Sequence, residues 1–192
     1  MRNIKRVFWG SFVLLTTLWL IAEPRVFEAN TFFAVRDWAT QYTGVIAISA
    51  MSIAMMLSLR PRWPERWLNG LDKMYRLHKW LGIGALVVAI VHWLWTKGAK
   101  WAVGFGWVTR PPRGARPPIE NPVEAYLLTW RGTAEGVGEW AFYIAVVLIA
   151  IALVRLIPYR WFRKPHRFVA PAYLVLVFHA VVLTRFGYWT PP

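Results

Sequence analysis

Five stretches of the chain are almost wholly apolar, at about residues 7–22, 43–59, 77–95, 139–157 and 166–184, and the polar residues gather between them. Roughly 20 apolar residues are what a helix needs to cross a bilayer. The pattern therefore predicts an all-α, polytopic membrane helical bundle of about five transmembrane helices, forming a single domain over residues 1–192. The first run follows Arg2, Lys5 and Arg6 as a signal peptide would, but no small-x-small cleavage site precedes Glu23, so an uncleaved span is expected. In the second run Gly44, Ala47, Ser49 and Ala50 let helices approach closely. It ends at Arg60-Pro61-Arg62-Trp63-Pro64, where proline stops a helix twice. Residues 97–138, with Pro111-Pro112, Pro117-Pro118 and Pro122, predict a long outer loop carrying a short interfacial helix over 123–130. Glu139, heading the fourth run, suits a helix N-terminus.

Charge fixes the expected orientation. The 192 residues are 57% hydrophobic yet carry a formal net charge of +14. A basic chain can bind nucleic acid, but here Lys and Arg lie in short runs between apolar segments, as in the cytoplasmic loops of membrane proteins. Lipid is thus the expected partner, and nucleic acid is not. With the N-terminus in the cytoplasm, the inner segments hold fourteen basic and two acidic residues, and the outer ones nine and seven. That imbalance predicts a cytoplasmic N-terminus in a multi-pass protein of the inner (plasma) membrane. Cysteine is absent, which excludes disulfides, iron–sulfur clusters, thiolate-ligated heme and covalent C-x-x-C-H heme attachment. Histidine is left as the principal metal ligand.

All four histidines lie in two of the apolar runs, His78 and His92 in the third and His166 and His179 in the fifth. An imidazole inside a span is a functional-site hypothesis by default. Fourteen helical residues separate His78 from His92 by ~21 Å along the axis and only about 40° around it. Gly82, Ala85 and Ala89 lie between them on that face and leave clearance for a flat cofactor. His166 and His179 are 13 residues apart, ~20 Å along the axis. The two spans run in the same direction, so His78 comes level with His166 and His92 with His179, a bis-histidine site for a heme iron at each level. The angle fits less well, because thirteen ideal residues leave the second pair about 140° apart around the axis. Pro171, between the two, can kink the helix, and the two rings need not approach from identical directions. Membrane histidines also serve as interhelical hydrogen-bond partners, as in a heme-free transporter or scaffold, but four at matching depths in two parallel spans favour ligands. Zinc is disfavoured, since two imidazoles per level fall short of four ligands.

The paired spacing, the lead-in Leu71-Asp72-Lys73-Met74-Tyr75-Arg76-Leu77-His78-Lys79, and His166-Arg167-Phe168-Val169-Ala170-Pro171-Ala172-Tyr173 with Phe178-His179 resemble the ferric reductase-like transmembrane domain over about 43–184. That family includes NADPH oxidases and bacterial ferric reductases. The resemblance implies an oxidoreductase membrane domain with two stacked b-type hemes, the inner iron on His78 and His166 and the outer on His92 and His179. It implies electron flow from NAD(P)H through FAD to the inner heme, the outer heme and an acceptor such as ferric iron or dioxygen. Arg76, Lys79, Arg163 and Arg167 on the inner side, and Lys97, Lys100 and Arg185 on the outer, stand near enough to pair with heme propionates, although topology and lipid headgroups account for basic residues there as well. Arg167, which matches the family pattern, and Arg76 are the cofactor-binding candidates. Trp93, Trp95, Trp140 and Trp189 are expected as interfacial anchors rather than electron relays.

The sequence also departs from the family. Members typically continue into a sixth span and a cytoplasmic flavin and nicotinamide domain, whereas no Gly-rich dinucleotide loop follows a strand here. Gly104-Phe105-Gly106 and Gly136-Val137-Gly138 fall in the predicted outer loop. FAD and NAD(P)H are therefore expected on a missing domain or a cytoplasmic dehydrogenase subunit, and the front part of a longer protein is preferred to a separate heme subunit. The alternative within the class is a heme-bearing membrane subunit that delivers electrons to a periplasmic reductase, similar to the membrane subunit of methionine sulfoxide repair.

Overall fold

Among the described residues, five helices are long and apolar enough to cross a membrane, at Asn3–Ala22, Phe32–Ser58, Leu71–Gly104, Arg131–Leu153 and Arg160–Leu183. The computed structural model describes residues 2–68, 70–112, 119–154 and 158–189. Pro117-Pro118, Arg155 and the predicted end of the fourth run at 157 lie outside the described residues. In chain order the α-helices are α1 (Arg2–Ala22), α2 (Phe32–Ser58), α3 (Arg62–Leu68), α4 (Leu71–Gly104), α5 (Pro122–Thr129), α6 (Arg131–Leu153), α7 (Tyr159–His166) and α8 (Val169–Leu183). No strand occurs among the described residues.

The helices overrun the apolar runs, and much of the predicted 97–138 loop is helical. Hydropathy reports where lipid is expected, whereas a helix continues until its terminal backbone groups are capped. At the start of α2 the Thr31 hydroxyl accepts the Ala34 N–H at 3.2 Å. At the end of α4, Gly106 adopts φ +73°, and Gly106 N–H and Trp107 N–H return to Val103 O and Ala102 O at 3.1 and 2.9 Å. These two bonds form a Schellman stop, so Gly104-Phe105-Gly106 ends a helix. Asn121 caps α5 by accepting the Val123 N–H at 2.9 Å, and Pro122 occupies the first turn, where its missing N–H has no role. Because α6 begins at Arg131, Glu139 lies about two turns inside it and serves as an ion-pair partner instead of a helix head.

The fifth run is divided between α7 and α8, with Arg167 and Phe168 at the join. Pro165 offers no N–H to the carbonyl of Trp161, and Pro171 offers none to that of Arg167. Across the join the backbone tightens: Arg167 N–H bonds to Lys164 O, Phe168 N–H to Pro165 O and Ala170 N–H to Arg167 O, each three residues back, at 3.3, 2.9 and 3.2 Å. Three residues per turn advances each residue by ~20° more than an α-helix, roughly 80° over the four steps from His166 to Ala170. That recovers a little over half of the angle by which an ideal helix would separate His166 from His179. The mid-span kink that Pro171 allows is therefore replaced by overwinding ahead of it, and Pro171 sits in the first turn of α8.

α2 lies along α4 and α6 along α8 as the two most extensive pairings. α1 closes one side: Ile4 is buried with Ala54, Leu57, Leu68, Met74, Leu77 and Leu81. Phe12 packs so near α4 that a Cβ on Gly84 would stand 2.9 Å from its ring. The two halves are tied by Ser52 Oγ to Tyr173 OH at 2.8 Å and by Gln41 Nε2 to Leu183 O at 3.2 Å. Large apolar side chains such as Val13, Ile21, Val147 and Leu174 face outward, as a lipid-facing surface requires.

Candidate functional site: two histidine pairs between parallel helices

The four histidines meet in two pairs in the cleft between α4 and the α7–α8 segment. His78 and His166 have ring centroids 6.2 Å apart; for His92 and His179 the separation is 6.4 Å. Within each pair the ring planes are nearly perpendicular, at 81° and 85°. A metal–imidazole bond is ~2.0–2.1 Å, and the ring nitrogen lies ~1.1 Å from the ring centre, so two imidazoles on opposite sides of one metal ion would have centroids ~6.2–6.4 Å apart. Both pairs stand at that spacing. The partners ascend together along the chain, 78 with 166 and 92 with 179, so α4 and α8 run parallel.

Three of the four rings are held by a backbone carbonyl of the neighbouring helix. His78 Nδ1 donates to Ala54 O at 2.8 Å, His92 Nδ1 to Thr40 O at 3.0 Å, and His179 Nδ1 to Ala134 O at 2.8 Å. A carbonyl can only accept, so these bonds place the proton on Nδ1 and leave the Nε2 lone pair free. Metal-ligating histidines characteristically have this tautomer and this outer partner. The buried Thr43 adds a hydroxyl 3.2 Å from His92 Nδ1. His166 Nδ1 is buried and has no hydrogen-bond partner among the described residues. Thr40 and Ala54 are 14 residues apart, as are His78 and His92, which is the register two antiparallel helices must share.

Each level supplies two imidazoles, and no group of three or more His, Cys, Asp or Glu residues capable of holding a metal occurs among the described residues. Two opposed nitrogen ligands fit a metal whose remaining positions come from a flat macrocycle, and they do not fit a four-ligand zinc site. Of the small residues between the levels, Gly82 has open space beside it, since a Cβ there would meet nothing within 4 Å, whereas Ala85 is buried.

Residues 43–177, more than half of the chain, match the family described as ferric reductase like transmembrane component. The chain belongs to that family. No curated protein and no solved structure matches it. The ferric reductase-like match contains His78, His92 and His166 and stops two residues before His179. At the family level the chain is an oxidoreductase membrane domain, of a kind that suggests transmembrane electron transfer.

The basic residues sort into two groups in this ferric reductase-like bundle. Arg76, Lys79, Arg163 and Arg167 are exposed beside the His78–His166 level. On the other side, Lys97 pairs with Glu139 at 2.6 Å. Arg185 pairs with the buried Glu23 at 2.6 Å and covers the Trp38 ring at 3.8 Å. Both therefore bind carboxylates of the chain itself, which explains their place without a propionate. Tyr188 OH also donates to Glu23, at 2.7 Å. Burial first, and then this bond, hold the Tyr188 phenol above its ordinary range.

Trp140 and Trp189 are exposed, in keeping with anchors. Trp93 stacks on Phe142 at 6.2 Å and donates to Tyr143 OH at 3.2 Å, joining α4 to α6. Two residues at the His92–His179 level are absent from any pattern of charged or aromatic side chains. Gly44 and Gly138 lie against the rings of His92 and His179. Their one sequence signal is a glycine near the N-terminal end of a span.

Proposed function

We propose that each histidine pair holds the iron of one b-type heme, His78 with His166 and His92 with His179, and that the chain carries electrons across the membrane. The donor is a cytoplasmic flavin and NAD(P)H dehydrogenase domain or subunit, and the acceptor lies on the outer face, as ferric iron or dioxygen. The observation that supports this most strongly is the separation of the two ring pairs, 6.2 and 6.4 Å, which suits two imidazoles across one metal ion. With no cysteine in the chain, attachment is through these ligands alone.

Iron porphyrin, when bound, supplies reversible one-electron chemistry. The chain's own residues hold and insulate it. Ala54, Thr40 and Ala134 fix three imidazoles by their carbonyls and raise the ligands' basicity. The apolar helix walls exclude water. Fourteen residues of α4 set the two levels ~21 Å apart along its axis, which brings one towards each face of the membrane. Arg76 and Arg167 stand where they can neutralise carboxylates at the inner level, and the N-terminus lies in the cytoplasm beneath the plasma membrane.

The test is electron transfer across a sealed vesicle. Heme-loaded protein in vesicles containing ferricyanide should oxidise an impermeant reductant added outside, and either H78A or H92A should abolish the rate. Reduction no faster than in empty vesicles would contradict the proposal.

A further inference from the structure

Gly44 and Gly138 stand in the same relation to the two histidines of the outer level. In an α-helix each Cβ leans towards the N-terminus, so a side chain covers the turn before its own Cα, including the carbonyl four residues earlier. Thr40 O, which accepts from His92, precedes Gly44 by four residues. Ala134 O, which accepts from His179, precedes Gly138 by four. A Cβ on Gly44 would stand 3.1 Å from His92 Cε1 and 3.3 Å from Nδ1. A Cβ on Gly138 would overlap the His179 ring, meeting Nδ1 and lying 2.8 Å from Cε1. Gly132 and Gly136, also on α6, face open space. At the inner level the residue four beyond Ala54 is Ser58, so the arrangement belongs to the outer level alone.

We infer that Gly44 and Gly138 are positioning residues of the outer cofactor site: each bares a backbone carbonyl that takes the Nδ1–H of one imidazole, and so presents Nε2 of His92 and of His179 to a common metal. This rests on the proposed heme reading of that pair. The two substitutions should differ in severity. Alanine at 138 occupies the space of the His179 ring and must displace it. Alanine at 44 makes a contact that a shift of a few tenths of an ångström relieves, at the expense of the His92 Nδ1 bond. A weaker bond there makes the imidazole less basic, which favours ferrous over ferric iron and raises the outer heme's potential.

The experiment compares heme-loaded wild type, G44A, G138A and G136A by heme per chain, by low-spin heme signature and by potentiometric titration. G138A should lose one of two hemes. G44A should keep both, with one midpoint potential raised and the other unchanged, and G136A should match wild type. If G138A does not fold, the G44A potential decides. G44A potentials identical to wild type, or both hemes altered together, would overturn the inference while leaving the heme reading intact. Wild-type protein without heme would instead overturn the heme reading, and this inference with it.

Discussion

At the scale of single residues, three of the four imidazoles are held through Nδ1 by a backbone carbonyl, and on the proposed reading the Nε2 atoms take the iron. Replacing His92 or His179 by Ala should remove the outer heme and spare the inner, and replacing His78 or His166 should do the reverse. Pyridine hemochrome assay would read each as a drop from two hemes per chain to one. The Glu23 clamp has a different readout. Its carboxylate is buried and satisfies both Arg185 and Tyr188, so E23A should destabilise the fold by about 1–3 kcal/mol, seen as a lower Tm in detergent. Tyr188 also gives a pH dependence. Its folded-state pKa is raised, so the associated stability is fully present below the ordinary tyrosine value of about 10 and is lost as pH rises through the folded value. Thermal unfolding between about pH 9 and 12 should show that alkaline loss in wild type and less of it in Y188F. The pairing of the histidines was legible because spacing and parallel spans are arithmetic on residue numbers. Gly138 was not, because the group it serves is a backbone carbonyl on α6, and no residue type marks a carbonyl that another helix will use. The charges of Arg131 and Glu135 also placed that stretch outside the apolar run.

At the scale of elements, the join between α7 and α8 decides whether the inner pair can form. An uninterrupted α-helix would leave His166 about 140° from His179 around the axis, and the three-residue bonds bracketed by Pro165 and Pro171 wind a little over half of that back. The double variant P165A/P171A should relax towards α-helical winding and swing His166 away from His78. Heme content should fall from two per chain to one, with the outer heme's potential unchanged. The sequence announced this element only in part. Its two prolines were visible, but whether a proline kinks, ends or overwinds a helix depends on which carbonyls find another donor. Helix ends were obscured for a related reason: α4 runs on through Lys97 and Lys100 until Gly106 provides a left-handed turn.

At the scale of the whole molecule, two antiparallel helix pairs, α2 with α4 and α6 with α8, face each other across a cleft, with one histidine pair towards each end. The proposed orientation rests on charge, and the cysteine-free sequence makes it easy to test. A single cysteine at Ser58, near the inner level, should be shielded from an impermeant maleimide added to intact cells, whereas one at Asn30 should react; the opposite pattern would invert the topology. What the four imidazoles hold decides the function. The decisive measurement is heme per chain in heme-supplied, monodisperse protein, with the spin state recorded on the same sample. Two non-covalent hemes, both low-spin with two axial nitrogens, are predicted. No heme, or two hemes undiminished in H92A and H166A, would contradict it.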